Sequence, residues 1–223
     1  MTISKLVIAF MVIAFPLAGN AVVLVQTSDA GWYNDSIGTT LNLSNGTGAD
    51  DSTAYFPIFN DSSVNFLAAP DLTAASGVLG NWLSDPLNTA NTSAEWAYEA
   101  SIPNTWTPGT EVAVMYQFDT LGATNVVASL GVDNGIFAWL NGEYLFGARG
   151  PGHAVNGEYV LNLGNLTAGT HFLQLLLEDH GGANAYNVNI TADAFIPAPV
   201  PAPAALALLL MGLLGMSIRG RRS

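Results

Sequence analysis

Cysteine is absent from this 223-residue chain, and basic residues nearly so: Lys and Arg total 5, against 17 Asp and Glu. Without a thiol there is no disulfide scaffold, no thiolate zinc centre and no cysteine nucleophile, and cysteine usage says nothing about compartment. Four of the five cations, Lys5, Arg219, Arg221 and Arg222, sit within a few residues of a terminus, which leaves Arg149 alone between them. The body is therefore strongly acidic, and its field repels phosphate backbones and anionic headgroups, which excludes nucleic acid as a partner. Also missing are a G-x-S-x-G elbow, an H-E-x-x-H helix, a phosphate-cradling glycine loop and a dinucleotide fingerprint, so no enzyme class is signalled. The acids offer carboxylate pairs for glycosidic hydrolysis in principle, but no spacing singles one out. What the chain does have is an apolar half, 50% of residues, enough for a packed core and too apolar for disorder.

The apolar residues at the two ends read as addresses. Lys5 heads the stretch Leu6 to Leu17, followed by the small residues Ala18-Gly19-Asn20-Ala21. Charge, apolar core and small-residue tail stand in signal-peptide order, so residues 1–21 are expected to be an export signal cleaved after Ala21. An uncleaved anchor is the alternative, and the apolar stretch is short against the roughly 20 residues of a spanning helix. At the other end, residues 196–203 alternate proline with Ile, Ala and Val and are expected to form an extended linker, because proline lacks the N–H that a helix or ladder needs. Residues 204–218 are apolar except for Ser217 and carry no charge, and Arg219-Gly220-Arg221-Arg222 follow. A membrane-spanning helix with a cytoplasmic basic tail (219–223) is expected, with a buried core helix as the alternative.

The arrangement Val200-Pro201-Ala202-Pro203, apolar span, then Arg219, Arg221 and Arg222 resembles the PEP-CTERM sorting signal of exopolysaccharide-producing Gram-negative bacteria. The usual core of that family is Val-Pro-Glu-Pro, and here Ala202 replaces the glutamate. The resemblance implies an exosortase as processing partner, an inner-membrane-anchored precursor, and delivery to the cell surface or extracellular matrix.

Between the two ends, residues 22–195 read as a single β domain. No long stretch has the helical period, whereas several have period two. In Glu111 to Phe118, Val112, Val114, Tyr116 and Phe118 share one face; in Asn125 to Val132, Val126, Ala128, Leu130 and Val132 do so. A turn at Asp133-Asn134-Gly135 leads to Ile136–Leu140 and Glu143–Phe146, which flank Asn141-Gly142, the strongest short-range hairpin signal. Further strands are expected at Tyr159–Leu163, Thr170–Glu178 and Tyr186–Ala194, and in the less regular first third at Thr39–Leu43, Tyr55–Phe59 and Val64–Leu67. In Thr170–Glu178 both faces are apolar, with Leu173, Leu175 and Leu177 on one and Phe172 and Leu176 on the other, so both must be covered. The expected fold class is all-β, an antiparallel β-sandwich.

The run Gly131 to Gly142, strand, tight turn, strand and Asn-Gly hairpin, resembles galactose-binding-domain-like jelly rolls, including PA14-type modules. Leu163 to Leu175 is similar to the closing element of that family, a loop ending in Gly-Thr that feeds a long core strand. This resemblance implies a jelly-roll body associated with carbohydrate.

Candidate site residues come from the polar clusters. Glu178-Asp179-His180-Gly181-Gly182 ends the most apolar strand, where oxygen ligands and a glycine loop suit a hard cation, and Asp133 joins Glu178 and Asp179 if the register allows. Calcium in a structural role is the metal such a set would take; a solvated turn, or pairing with Arg149, is the alternative. Zinc does not fit, because His153, His171 and His180 lack ligand spacing. Arg149, His180 and Trp106 are candidate ligand-binding residues: the guanidinium fork of Arg149 suits a carboxylate or sugar hydroxyls, with an internal salt bridge as the alternative. Trp82, Trp96, Trp106 and Trp139 form either a stacking platform for sugar rings or part of the core, with at least half of them expected to be buried. The function expected is that of an exported, non-catalytic surface or matrix protein associated with exopolysaccharide. A polysaccharide hydrolase or lyase and a structural adhesion protein without small ligand are the alternatives.

Overall fold

The computed structural model describes residues 21–43, 68–149, 154–179 and 182–193. The elements, in order, are β1 (Val22–Gln26), β2 (Gly31–Gly38), a 3-10 turn (Thr73–Ala75), α1 (Ser76–Leu79), α2 (Pro86–Thr92) and β3 (Ala97–Glu99). They are followed by β4 (Glu111–Asp133), β5 (Gly135–Leu140), β6 (Glu143–Arg149), β7 (Tyr159–Glu178) and β8 (Ala185–Asp193). Among the described residues no helix is long and apolar enough to cross a membrane. Residues 1–20 and 194–223, where all but the last residue of the expected signal segment, the expected linker and apolar span, and the candidate sorting residues Val200, Pro201, Ala202, Pro203, Arg219, Arg221 and Arg222 fall, lie outside the described residues.

Every strand pair is antiparallel, and the sheet runs β1-β8-β4-β7-β5-β6, with β2 also pairing β4 and β3 pairing β2. Its spine is the ladder of β4 with β7, which runs from Glu111 opposite Glu178 to Leu130 opposite Tyr159. Register shifts around Ala123 to Val127 divide this ladder into two halves. Asn125 and Gly164, with φ of 51° and 72°, stand at the break, a conformation that asparagine and glycine tolerate. The first half is flanked by β2 and β5, the second by β8 and, beyond it, β1.

The inward sets of both halves meet in one core. Val112, Val114 and Tyr116 pack with Leu173, Leu175 and Leu177 from the first half, and with Val126, Ala128, Leu130 and Val132 and β8's Tyr186, Val188 and Ile190 from the second. The sheet therefore folds over at the break, and its halves enclose the core as two layers. A hydroxyl contact ties the layers together: Tyr116 Oη and Tyr186 Oη are 2.7 Å apart, and Tyr116 also donates to the Thr27 carbonyl at 2.9 Å. Burial pushes both phenol pKa values upward, so the pair stays neutral at any physiological pH. Each fully buried leucine of this core contributes about 2 kcal/mol of hydrophobic stabilisation.

The outer face of the first layer carries a second cluster. Ala113, Met115, Phe137, Trp139 and Leu176 point into it and are covered by Leu79, Trp82, Ala90 and Trp96 from the helical segment and its exit, and by Ile37 and Leu43. Trp82 stacks on Trp96 with centroids 5.7 Å apart and meets Trp139 edge-on at 5.5 Å. Pro86 opens α2 at its first turn, where its fixed φ favours the helix and its missing N–H costs nothing.

The expectation that both faces of Thr170–Glu178 are covered is met, and the two predicted inward sets of β4 are all buried. Three readings are corrected. Thr39–Leu43 is a turn, not a strand, because the N–H groups of Leu41 and Leu43 are taken by the Glu111 carboxylate at 3.0 and 2.8 Å and so are not available to a ladder. The run Leu163–Thr170 is not a loop but the middle of β7, which stays paired to β4 through it. Glu111–Phe118 and Asn125–Val132 are two halves of one bent strand. Tyr55–Phe59 and Val64–Leu67 lie outside the described residues.

Candidate functional site

The acidic end of the sheet is a buried structural feature. Glu111, Glu178 and Asp179 have 3, 0 and 1% of their surface exposed. Glu111 and Glu178 are direct cross-strand partners, so their side chains share the face of the second cluster, an arrangement that repulsion alone would disfavour. Burial and then the Glu178 charge push the Glu111 carboxyl above its ordinary range, while its two bonds to Leu43 and Leu41 pull the other way. Asp179 Oδ2 accepts the Gly109 N–H at 2.6 Å, and the Asp179 N–H donates to the Thr110 carbonyl at 3.2 Å. These bonds fasten the entry of β4 to the exit of β7.

Asp133 is brought to the same end: the N–H of Asn134, the next residue, donates to the Glu178 carbonyl at 3.1 Å. The Asp133 carboxylate itself accepts from Asn134 Nδ2 at 2.8 Å. Among the described residues no group of three His, Cys, Asp or Glu side chains has the arrangement to hold a metal ion. Arg149 closes β6 opposite Gly135, whose other neighbour is Glu178, so the one body cation shares a register row with Glu178 and Glu111. His180 and His153 lie outside the described residues. His171 is buried, with Nε2 2.9 Å from the Thr167 carbonyl and Nδ1 3.0 Å from Asn141 Nδ2.

The tryptophans resolve as core. All five are buried, so the platform alternative is set aside for Trp82, Trp96, Trp106 and Trp139. Trp106 retains 8% exposure, donates its indole N–H to the Thr110 carbonyl at 2.9 Å and exchanges backbone bonds with the Asn184 side chain at 2.9 and 3.0 Å. Its ring is spent on closing the end of the core beside Tyr186.

An open cleft lies elsewhere. A cleft of about 550 Å³ opens on the outer face of the second layer. Asn187 and Asn189 reach it because Tyr186, Val188 and Ile190 occupy the alternate, inward positions of β8. Gln26, Thr27 and Ser28 come from the end of β1 and its turn, Ser101 and Asn104 from the segment before β4, and Asn156 from the turn before β7. Val23, Ile102 and Val188 supply the apolar part, and among the described residues no charged or aromatic side chain lines the cleft.

The walls are fixed. The Thr27 N–H donates to the Val188 carbonyl at 3.0 Å, Val188 N–H donates to Thr27 Oγ1 at 2.8 Å, and Tyr186 N–H donates to the Asn104 carbonyl at 3.2 Å. The turn before β7 is pressed onto β4 at Gly131, where a Cβ would stand 2.0 Å from the Val155 carbonyl oxygen. Glu158 Oε2 accepts the Val132 N–H at 3.0 Å and extends that contact beyond the β4–β7 ladder.

Among the described residues, the side chains of Gln26, Asn104, Asn156 and Asn189 make no hydrogen bond within the protein, and Asn187 only accepts a long one from Thr27 at 3.4 Å. Asn34, Asn141 and Asn184 spend theirs on backbone groups. The sequence reading missed the cleft. Its sole local trace is the polar alternation of Asn187 and Asn189 with core positions, which any half-exposed strand shows.

No protein-family model matches the chain, and no curated protein matches it. Among solved structures it is similar to the PA14 domain of MpAFP antifreeze protein, at 12% identity and a TM-score of 0.30, over 46% of this chain and 52% of that one. It is also similar to a β-glucuronidase of an uncultured Clostridium species, at 8% identity and a TM-score of 0.40, over 82% of this chain and 30% of that one. The chain thus spans about half the length of the first and under a third of the second. At these values the likeness carries no argument. The ladders define the class, an antiparallel all-β protein, and the described residues add a cleft lined by carboxamides.

Proposed function

We propose that this chain is an exported, non-catalytic protein of the cell surface or extracellular matrix whose body, a galactose-binding-domain-like jelly roll, binds neutral polysaccharide in the amide-lined cleft. Its C-terminal segment acts as a PEP-CTERM-type sorting tail, anchored in the inner membrane of a Gram-negative bacterium and processed by an exosortase. The observation that carries the binding half is the gathering of five carboxamides with unspent hydrogen-bonding capacity in one cleft that has no charged side chain among the described residues. A carboxamide offers two donors and an acceptor, and a sugar hydroxyl needs both. A polar site left unpaired on its ligand pays for it, so such a cleft selects polyhydroxyl ligands over apolar ones. The acidic surface around it disfavours polyanions.

The hydrolase alternative has less support, since Glu111, Glu178 and Asp179 are buried and at least Glu111 and Asp179 hold backbone N–H groups. The test is retention of the purified full chain on a panel of neutral and anionic polysaccharides, with and without calcium. Retention on neutral members alone supports the reading, and no retention anywhere leaves the structural adhesion role. Turnover of any polysaccharide that Glu178→Gln abolishes would replace binding with catalysis.

A further inference from the structure

Three Asn-Gly pairs lie among the described residues: Asn134-Gly135, Asn141-Gly142 and Asn156-Gly157. An Asn-Gly bond is the least hindered setting for deamidation, in which the glycine nitrogen attacks the asparagine side-chain carbonyl carbon. Whether a given pair reacts depends on whether those two groups are free to meet.

At Asn141-Gly142 they are not. Asn141 Oδ1 accepts the Phe172 N–H at 2.9 Å, its Nδ2 meets His171, and the Gly142 N–H donates to Gln174 Oε1 at 2.8 Å. At Asn134-Gly135 the amide donates to Asp133 at 2.8 Å, and Gly135 is held inside β5 between β6 and β7. At Asn156-Gly157 no such restraint is found among the described residues. Asn156 is exposed, neither its side chain nor the Gly157 N–H makes a hydrogen bond among the described residues, and the turn is closed by one bond, from Glu158 N–H to the Val155 carbonyl at 3.2 Å. A Cβ at Gly157 would meet nothing within 4 Å, so the peptide has room to swing.

We infer that Asn156 is a spontaneous modification site, the deamidation point among the described Asn-Gly pairs, and that its conversion places a carboxylate in a cleft that has no charged side chain among the described residues. The Gly157 nitrogen bonds to the Asn156 Cγ, the Cγ–Nδ2 bond breaks, and Nδ2 leaves as ammonia to give a five-membered imide. Water then opens either imide carbonyl, which yields aspartate or isoaspartate. The product has lost two donors and gained a negative charge at a wall of the cleft. The consequence for neutral-polysaccharide binding rests on the function proposed above; the modification itself does not.

The test is to age the full-length protein in mildly alkaline buffer, digest it, and follow the peptides that span the three pairs by mass. A gain of one dalton appearing first and mainly at Asn156, and abolished in Asn156→Gln, is expected. Reaction first at Asn134 or Asn141, equal reaction at all three, or none at any overturns the inference. In a parallel arm, Asn156→Asp is expected to be retained less on neutral polysaccharide than Asn156→Gln. Equal retention alongside the mass gain at Asn156 leaves the modification standing and removes its effect on the cleft.

Discussion

The tetrapeptide Asn-Gly-Glu-Tyr occurs twice, at Asn141–Tyr144 and at Asn156–Tyr159, and the two copies have opposite fates. In the first, Asn141 and Gly142 both have positive φ, 53° and 78°, and form the tight turn of the β5–β6 hairpin. Its polar groups are consumed by Phe172, His171 and Gln174, and Tyr144 packs edge-on against Trp139 at 5.5 Å. In the second, Gly157 alone has positive φ, 87°, the asparagine amide is idle at the cleft, and Glu158 caps Val132. Tyr159 faces Phe146 at 5.6 Å. Identical residues are bonded into the scaffold where β7 lies beside the asparagine, whereas in the second copy the asparagine side chain makes no hydrogen bond among the described residues.

The largest difference between the two copies is expected at their glycines. Gly142→Ala forces a Cβ to within 2.3 Å of the Leu83 carbonyl oxygen at positive φ. It is expected to cost about 3 kcal/mol, against about 1 kcal/mol for Gly157→Ala, which strains φ in open space; denaturant melts of both variants compare them. Next come the asparagines. Asn141→Ala strips the Phe172 N–H and His171 of their partner and is expected to cost about 2 kcal/mol, while Asn156→Ala stays within about 0.5 kcal/mol. Retention on neutral polysaccharide should order these two the other way, with only Asn156→Ala weakened. Third are the glutamates: Glu158→Ala uncaps Val132 and should lower stability by about 1 kcal/mol, whereas Glu143→Ala, exposed in the hairpin, should leave the melt unchanged.

The smallest effect is electrostatic and lies away from both turns. The folded chain holds the Glu111 proton to a higher pH than the ordinary 4.5. Between those two values the folded state binds more protons than the unfolded, so Glu111 favours folding as pH falls through its raised pKa and disfavours it as pH rises. The unfolding midpoint followed against pH should lose this slope in Glu111→Gln; an unchanged slope would show that the carboxyl titrates alike in both states.

Legibility in the sequence followed the range of the interactions. Val112, Val114 and Tyr116, Val126 to Val132, and Leu173, Leu175 and Leu177 announce their faces because a strand alternates locally, and the Asn141-Gly142 turn announces itself because its φ angles demand those residues. β2 and the helical cover escaped, since α1 and α2 are too short for a period and their burial rests on Trp82 and Trp96 meeting Trp139 across the sheet. Thr39–Leu43 looked extended because nothing local reveals that Glu111, far along the chain, takes its N–H groups. The conspicuous acids Glu178 and Asp179 and the tryptophans drew the eye as site residues and turned out buried. The cleft stayed hidden because Gln26, Asn104, Asn156 and Asn187 are adjacent only after the sheet has folded over.

The proposed role of the cleft is that its unbonded amides are the ligand contacts. Its most direct test is a titration of the isotopically labelled protein with a neutral oligosaccharide, read at the side-chain amide signals by nuclear magnetic resonance. The signals of Gln26, Asn104, Asn156, Asn187 and Asn189 should move together while those of Asn34, Asn141 and Asn184 hold still. Movement of the second group without the first, or of neither at saturating sugar, would contradict it.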